Sequence, residues 1–288
     1  IAISHSLNTN AYNIKYSADF ISVLGITDVL IRSELKAPNN VTNFFGYGNG
    51  SIYDKEQPGK IKYYRTRFTV GDLALLLRKN MGKTFSINAG PAYQFYSIET
   101  DNNFDRFITK TDINGLDSST LYKDKSWLGG QVGLNIDNRN NKIIPTRGVN
   151  WQTTLKAMKG LKSGIAKDYT QLNSDFTIYI SFPGNTNFVI AERFGAGINF
   201  GNYEFFQAQY LSGTENLRGF RKYRFAGTSM LYNNTELRIK LADFRTYLFP
   251  GSIGLLGFFD TGKVWVKNDP SSGWHHGFGG GGSDHARV

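Results

Sequence analysis

The stretch LNSDFTIYISF, Leu172 to Phe182, puts Leu172, Ser174, Phe176, Ile178, Ile180 and Phe182 on one parity and Asn173, Asp175, Thr177, Tyr179 and Ser181 on the other. A period of two is the mark of a β-strand with one apolar and one polar face. The same alternation recurs along the chain. Val132, Leu134 and Ile136 oppose Gln131, Gly133, Asn135 and Asp137, and Leu237, Ile239 and Leu241 oppose Glu236, Arg238 and Lys240. Near the start, Tyr12, Ile14, Tyr16, Ala18 and Phe20 oppose Asn13, Lys15, Ser17 and Asp19. This pattern predicts strands near 2–10, 12–24, 27–36, 61–78, 84–99, 126–137, 148–158, 170–182, 187–200, 229–242 and 253–266, with a partial one from Trp274.

Composition agrees with an all-β protein. The 288 residues include 32 Gly, 22 Phe and 16 Tyr with only 19% charged residues, a balance that suits strands and turns. No apolar run approaches the roughly 18 residues of a transmembrane helix. That leaves membrane strands open, since each needs only about 9 to 11 residues of alternating character. The absence of Cys rules out disulfides and thiolate metal sites. A net charge of +10 would suit nucleic acid or anionic lipid, but the cations are scattered rather than gathered on one element, which argues against nucleic acid. Ile1 is not Met and no signal segment precedes it, so the start reads as a cut.

Connection lengths carry the next step. They alternate between short (around Gly25, 79–83, 138–147, 183–186, 243–252) and long (37–60, 100–125, 159–169, 201–228). An antiparallel transmembrane β-barrel, with tight turns on one rim and extended loops on the other, predicts this rhythm. A soluble sandwich does not. The polar faces would then line a watery lumen. Tyr96, Trp127, Trp151, Tyr169, Phe249 and Trp265, near strand ends, fit interfacial girdles or the caps of a soluble core. Two positions break the pattern: Glu192 shares parity with Phe188, Ile190 and Phe194, and Asp260 with Leu256 and Phe258, so a bulge or a protein-covered surface is expected there.

The longest distinctive loop contains LSGTENLRGFRKYRFAG, Leu211 to Gly227, with Arg218, Arg221, Lys222 and Arg224 against one acid, Glu215. A basic tip that entered a polar lumen would need carboxylates to offset the desolvation of its arginines. Glu236, on a wet face, and Asp260, within FFDTGKVW (258–265), are the candidates, and the planar fork of Arg218 can meet one or both. The residues alone leave a second reading open, a solvated loop whose arginines face water or lipid phosphate.

Taken in order, Leu217, Arg218, Gly219 and Phe220 in a long loop, Glu236 in TELRI, and Asp260 with Gly262 in DTG resemble the C-terminal barrel of the bacterial surface antigen family, the BamA/TamA-type outer-membrane proteins. DNRNNKIIPTRG (137–148) is similar to that family's strand-turn-strand element, through Asp137, Arg139, Asn140, Pro145 and Gly148. The match covers most of 120–282. NFFGYGNGS (43–51) looks like barrels that, in some relatives, follow a secreted metallophosphatase domain. The resemblance implies a lumenal loop whose Arg218 pairs with Glu236 and Asp260. It also implies a place in the bacterial outer membrane, a surround of outer-membrane lipid, client β-barrel or translocated polypeptides as partners, and periplasmic or accessory subunits.

Counted against that family's sixteen strands, the chain is expected to be a partial barrel of about twelve strands over 1–282, lacking strands at both ends. Residues 283–288 read as a truncation or linker tail after the glycine run. Missing end strands would leave open edges, which a bilayer does not tolerate.

No catalytic, metal or cofactor constellation emerges. His5, His275, His276 and His285 lack zinc-site spacing, and the glycine run lacks the helix and Lys of a phosphate cradle. Asp137 and Arg139 read more simply as turn anchors than as a catalytic pair. Three functions stand: an assembly or translocation barrel, which needs the ordered loop and its acids; a passive porin, which needs no arginine lock; and a soluble carbohydrate-binding sandwich. The first is preferred, with a phosphatase's membrane anchor as a variant of it.

Overall fold

In the computed structural model, residues 1–7, 9–182, 185–213, 215–245, 250–270 and 273–286 are described. Twelve strands form one sheet in which every adjacent pair is antiparallel: β1 (Ala2–Ser6), β2 (Ala11–Leu24), β3 (Thr27–Asn43), β4 (Arg65–Met81), β5 (Phe85–Ser97), β6 (Lys125–Asp137), β7 (Gly148–Gly160), β8 (Tyr169–Phe182), β9 (Asn185–Gly201), β12 (Ser229–Arg245), β13 (Pro250–Trp265) and β14 (His275–Ala286). Between β9 and β12 the chain makes a separate two-stranded ribbon, β10 (Gln209–Leu211) with β11 (Phe225–Gly227). Each main strand pairs with its neighbour along the chain, apart from that excursion, so the order is a meander. Among the described residues no ladder joins β1 to β14, and the sheet stays open there.

Parity becomes inside and outside as the alternation predicts. On β4, Leu73, Leu75 and Leu77 are 39%, 45% and 50% exposed while Ala74 and Leu76 between them are buried. A wall that turns aliphatic side chains outward on every second residue belongs in hydrocarbon. Connections on one rim are tight, and those on the other run over 44–64, 98–124, 161–168, 202–228 and 266–274.

Several boundaries depart from the sequence expectation. β3 runs on to Asn43, past Pro38, because a bulge between Lys36 and Asn40 takes the proline out of the ladder. β4 starts at Arg65, since Lys60–Lys62 forms a 3-10 turn. β14 pairs with β13 as far as Gly251–Ala286, so backbone pairing enters the 283–288 stretch.

The interior also differs from a uniformly wet lumen. Towards the long-loop rim, Phe44, Phe68, Tyr96, Ile108, Leu121, Trp127, Tyr169 and Phe205 form one buried cluster. The external loops fold inward and need an apolar core of their own. Tyr96, Trp127 and Tyr169 therefore face this core and are not girdle residues, whereas Trp151 and Trp265 are exposed on the outer surface. Phe249 lies outside the described residues. At Glu192 the ladders to β8 and β12 continue without a bulge; the carboxylate stays on the outer face and accepts hydrogen bonds from Asn233 Nδ2 and Thr235 Oγ1 at 3.1 Å. Asp260 faces inward and is covered by the loop described next.

Candidate functional site in the lumenal loop

The chain between β9 and β12 enters the cylinder and is tied to several strands of its wall. Glu204 and Gln207 close a reciprocal cap around the 3-10 turn Phe205–Gln207. Gln207 Nε2 then donates to Gln94 Oε1 of β5 at 2.6 Å, and Asn199 Nδ2 of β9 donates to the Gln207 carbonyl at 2.8 Å. Gln209 Nε2 reaches Asn199 Oδ1 at 3.0 Å. Buried amides paired in this way satisfy both donors and acceptors without placing net charge in the interior.

Beyond β10, Asn216 Oδ1 accepts from Ser212 N at 2.8 Å, and Leu217 N bonds the Ser212 carbonyl at 3.0 Å. This tight turn buries Leu217 against Leu211, Phe225, Tyr232 and Val264, with Phe220 packed on the cluster. Gly219 has φ +90°, a conformation that a side chain would resist, and open space where a Cβ would stand. Gly262 of β13 leaves room for Leu211, whose Cδ2 would lie 2.9 Å from an added Cβ.

The turn delivers Arg218 to two strands at once. Its Nε and Nη2 meet Asp260 Oδ2 and Oδ1 at 2.8 and 2.7 Å, and its own backbone N–H donates to Asp260 Oδ2 at 2.8 Å. Nη1 reaches Glu236 Oε2 of β12 at 2.8 Å, while Arg238 Nε holds the other oxygen, Oε1, at 2.6 Å. The guanidinium carbon lies 3.8 Å from the Phe258 ring centre. Asp260 is 0% exposed, and the fork and the backbone N–H satisfy its carboxylate inside the wall. The same hydrogen bonds to Asp260, followed by those to Glu236, hold Arg218 above the ordinary arginine value.

Among the described residues, the remaining cations of the loop pair with no carboxylate. Arg224 gives Nη1 to Ser51 Oγ at 2.8 Å and Nη2 to the Ser51 carbonyl at 2.6 Å, between the rings of Phe45 and Phe225. Burial pushes its guanidinium down to about 10. Arg221 lies over Tyr53 at 4.5 Å, and Asn43 Nδ2 takes the Lys222 carbonyl at 3.0 Å. The NFFGYGNGS segment thus clasps the loop from the outer side. Asn49 anchors that clasp on β13 by imitating a strand residue: Nδ2 donates to the Val264 carbonyl at 2.7 Å and Oδ1 accepts Val264 N at 3.0 Å. Asn49→Ala is expected to cost about 2 kcal/mol by leaving a buried backbone pair unmet, and to expose Arg221–Arg224 to protease added outside cells.

The strand-turn element lies at the opposite rim. Arg139 grips Asp137 through Nε and Nη2 at 2.8 and 2.9 Å, and Asn140 Oδ1 accepts Thr146 N and Arg147 N, both at 3.1 Å. Pro145 is buried. Gly148 has φ +107° and would place a Cβ 2.7 Å from the Asn138 carbonyl, so only glycine fits. Asp137, Arg139, Asn140, Pro145 and Gly148 thus shape a turn remote from Arg218.

Sequence reasoning passed over a second tether. Arg193 of β9 binds Asp175 of β8 at 2.6 Å, sends Nη1 to the Glu215 carbonyl at 2.8 Å, and stacks 5.1 Å from the Tyr232 ring centre. The signal was available, because Asp175 and Arg193 both fall on wet parities of adjacent strands.

Comparison with known proteins agrees with this architecture. The Omp85 superfamily domain matches residues 3–283. The chain belongs to the Omp85 superfamily. Among solved structures, it is similar to BamA from Haemophilus ducreyi lacking POTRA domains 1-3, at 17% identity and a TM-score of 0.58. That likeness covers 92% of this chain and 56% of the BamA chain, and it concerns the fold. None of the curated proteins compared matches. Membership of Omp85 places the chain in the bacterial outer membrane as an antiparallel β-barrel wall.

Proposed function

We propose that this Omp85 barrel serves in the assembly of outer-membrane proteins or the passage of polypeptides across that membrane, with Arg218 latching the lumenal loop to the wall. Client β-barrel or translocated polypeptides are its partners, with periplasmic or accessory subunits, and no bond is made or broken. The observation that carries the reading is one guanidinium shared by carboxylates on two neighbouring strands, with the loop backbone bonded to the same acid. A passive channel gains nothing from such an arrangement, since the loop and the aromatic cluster take up part of the space through which solutes would diffuse. A protein that must hold its wall rigid in one region while working elsewhere does gain from it, because a hydrogen-bonded charge network anchored on a buried carboxylate has one low-energy geometry.

The test is reconstitution of the full-length protein in vesicles with an unfolded outer-membrane client. The expected result is client converted to the protease-resistant, heat-modifiable form, together with low and intermittent ion conductance. A large steady conductance without client conversion would favour a porin instead.

A further inference from the structure

Outside the lumen, the outer face of β4 carries a cationic cluster that nothing in the loop mechanism uses. Arg65 and Arg67 share parity with the lipid-facing Leu73, Leu75 and Leu77, while Thr66, Phe68 and Val70 between and beside them are buried. Two residues apart on one face, the two side chains leave the strand about 7 Å from each other. A third guanidinium joins them from the 98–124 loop, where Arg106 Nη1 donates to the Arg65 carbonyl at 2.7 Å. Like charges are not normally gathered without a counter-ion. The loop has acids, Glu99, Asp101, Asp105, Asp112, Asp117 and Asp124, yet among the described residues no carboxylate comes within ion-pair distance of Arg65, Arg67 or Arg106. Arg67 Nε is shut off from solvent and meets no acceptor among the described residues. Burial, then the fields of Arg67 and Arg65, hold Arg106 below the ordinary arginine value, as expected where cations crowd one another.

Height along the wall indicates what the counter-ion is. The next outward cation on β4 is Lys79, and the outward residues between it and Arg67 are Thr69, Gly71, Leu73, Leu75 and Leu77. The span from 67 to 79 is about 40 Å along the strand. At a tilt of about 40° it rises about 30 Å, slightly more than the roughly 25 Å apolar band of an outer-membrane barrel. The arginines therefore stand at the upper border of the hydrocarbon, on the long-loop side that faces the exterior. At that level the anions in reach are phosphates on the headgroups of outer-leaflet lipid.

We propose that Arg65, Arg67 and Arg106 form a binding site for the phosphate of an outer-leaflet glycolipid, held by forked hydrogen bonds while its acyl chains lie along Leu73, Leu75 and Leu77. Arginine suits the task because its planar donors match phosphate oxygens in pairs.

The experiment uses the full-length protein in detergent, with retained lipid read by native mass spectrometry. The probes are bis-phosphorylated lipid A, the same lipid with its phosphates removed, and inorganic phosphate. The expected result is retention of the phosphorylated lipid only, weakened up to about 100-fold by joint Arg65→Gln, Arg67→Gln and Arg106→Gln substitution, at roughly fivefold per charge. Heat-modifiable migration should be unchanged, and the three Arg→Lys changes should recover only part of the binding, because lysine supplies the charge without the fork. Should the triple glutamine variant lose its fold, Arg65→Gln alone carries the test at about fivefold, since that guanidinium makes no hydrogen bond among the described residues. Equal retention by wild type and variant, or equal retention of the dephosphorylated lipid, would overturn the site. Stabilisation by inorganic phosphate at the lipid's own concentration would mark a free-anion site and overturn the lipid assignment.

Discussion

Arg218→Ala in the full-length protein is expected to lower barrel stability by about 3 kcal/mol or more, the usual result of stranding one member of a buried ion pair. Three hydrogen bonds to Asp260 depend on this residue, two from its side chain and one from a backbone N–H that the side chain holds in register. Asp260 has no solvent to turn to. Glu236 suffers less, because Arg238 still holds one of its oxygens. The temperature at which the folded form disappears from unheated gels measures the loss. It should fall markedly for Arg218→Ala, less for Arg218→Lys, and least for Glu236→Gln. Lysine restores the charge without the fork, so a partial recovery separates charge from geometry.

Gly277→Val should produce nearly the same phenotype with no change of charge. Gly277 of β14 is the ladder partner of Asp260, and an added Cβ would lie 2.1 Å from the Arg218 carbonyl oxygen. That oxygen is backbone and has no flexible end to swing aside. The clash must lift the loop off β14, and lifting it draws the Arg218 N–H and guanidinium away from Asp260. Overpacking of this kind costs about 1 to 3 kcal/mol before the ion pair is counted. A substitution at Gly281, where nothing lies within 4 Å of an added Cβ, serves as the control and should leave gel migration unchanged. If both glycine variants behave alike, the loop does not rest on β14.

These two residues show how much could be read from the chain alone. The wall was legible because a membrane barrel writes its fold into parity: Leu172 to Phe182 alternates in sequence and pairs on both sides in the structure. Asp260, a charge on an otherwise apolar parity, marked itself as needing a partner, but parity left Arg218 free to face water instead, and the set of Arg218, Glu236 and Asp260 came from the family resemblance. Gly277 was not legible. Within a run of glycines nothing marks the one against which a backbone rests, and only the ladder register identifies it. Whether Tyr96, Trp127 and Tyr169 belong to a girdle or to a core was not legible, for a related reason. Proximity to a strand end is visible in sequence, but the inward folding of the 44–64 and 98–124 loops, which gives those rings a dry core to join, is not. Asn49 lay in a segment noted only for its resemblance, and its pairing with Val264, more than two hundred residues away, has no local signature.

The coupling between Arg218 and Asp260 tests the account most directly. A double-mutant cycle with Arg218→Gln, Asp260→Asn and the pair, read as barrel stability in the intact protein, is predicted to give an interaction of about 2 kcal/mol or more, with the double variant steadier than the sum of its parts implies. Losses that simply add would mean the two side chains do not hold each other, and the loop would then be anchored by something other than this guanidinium.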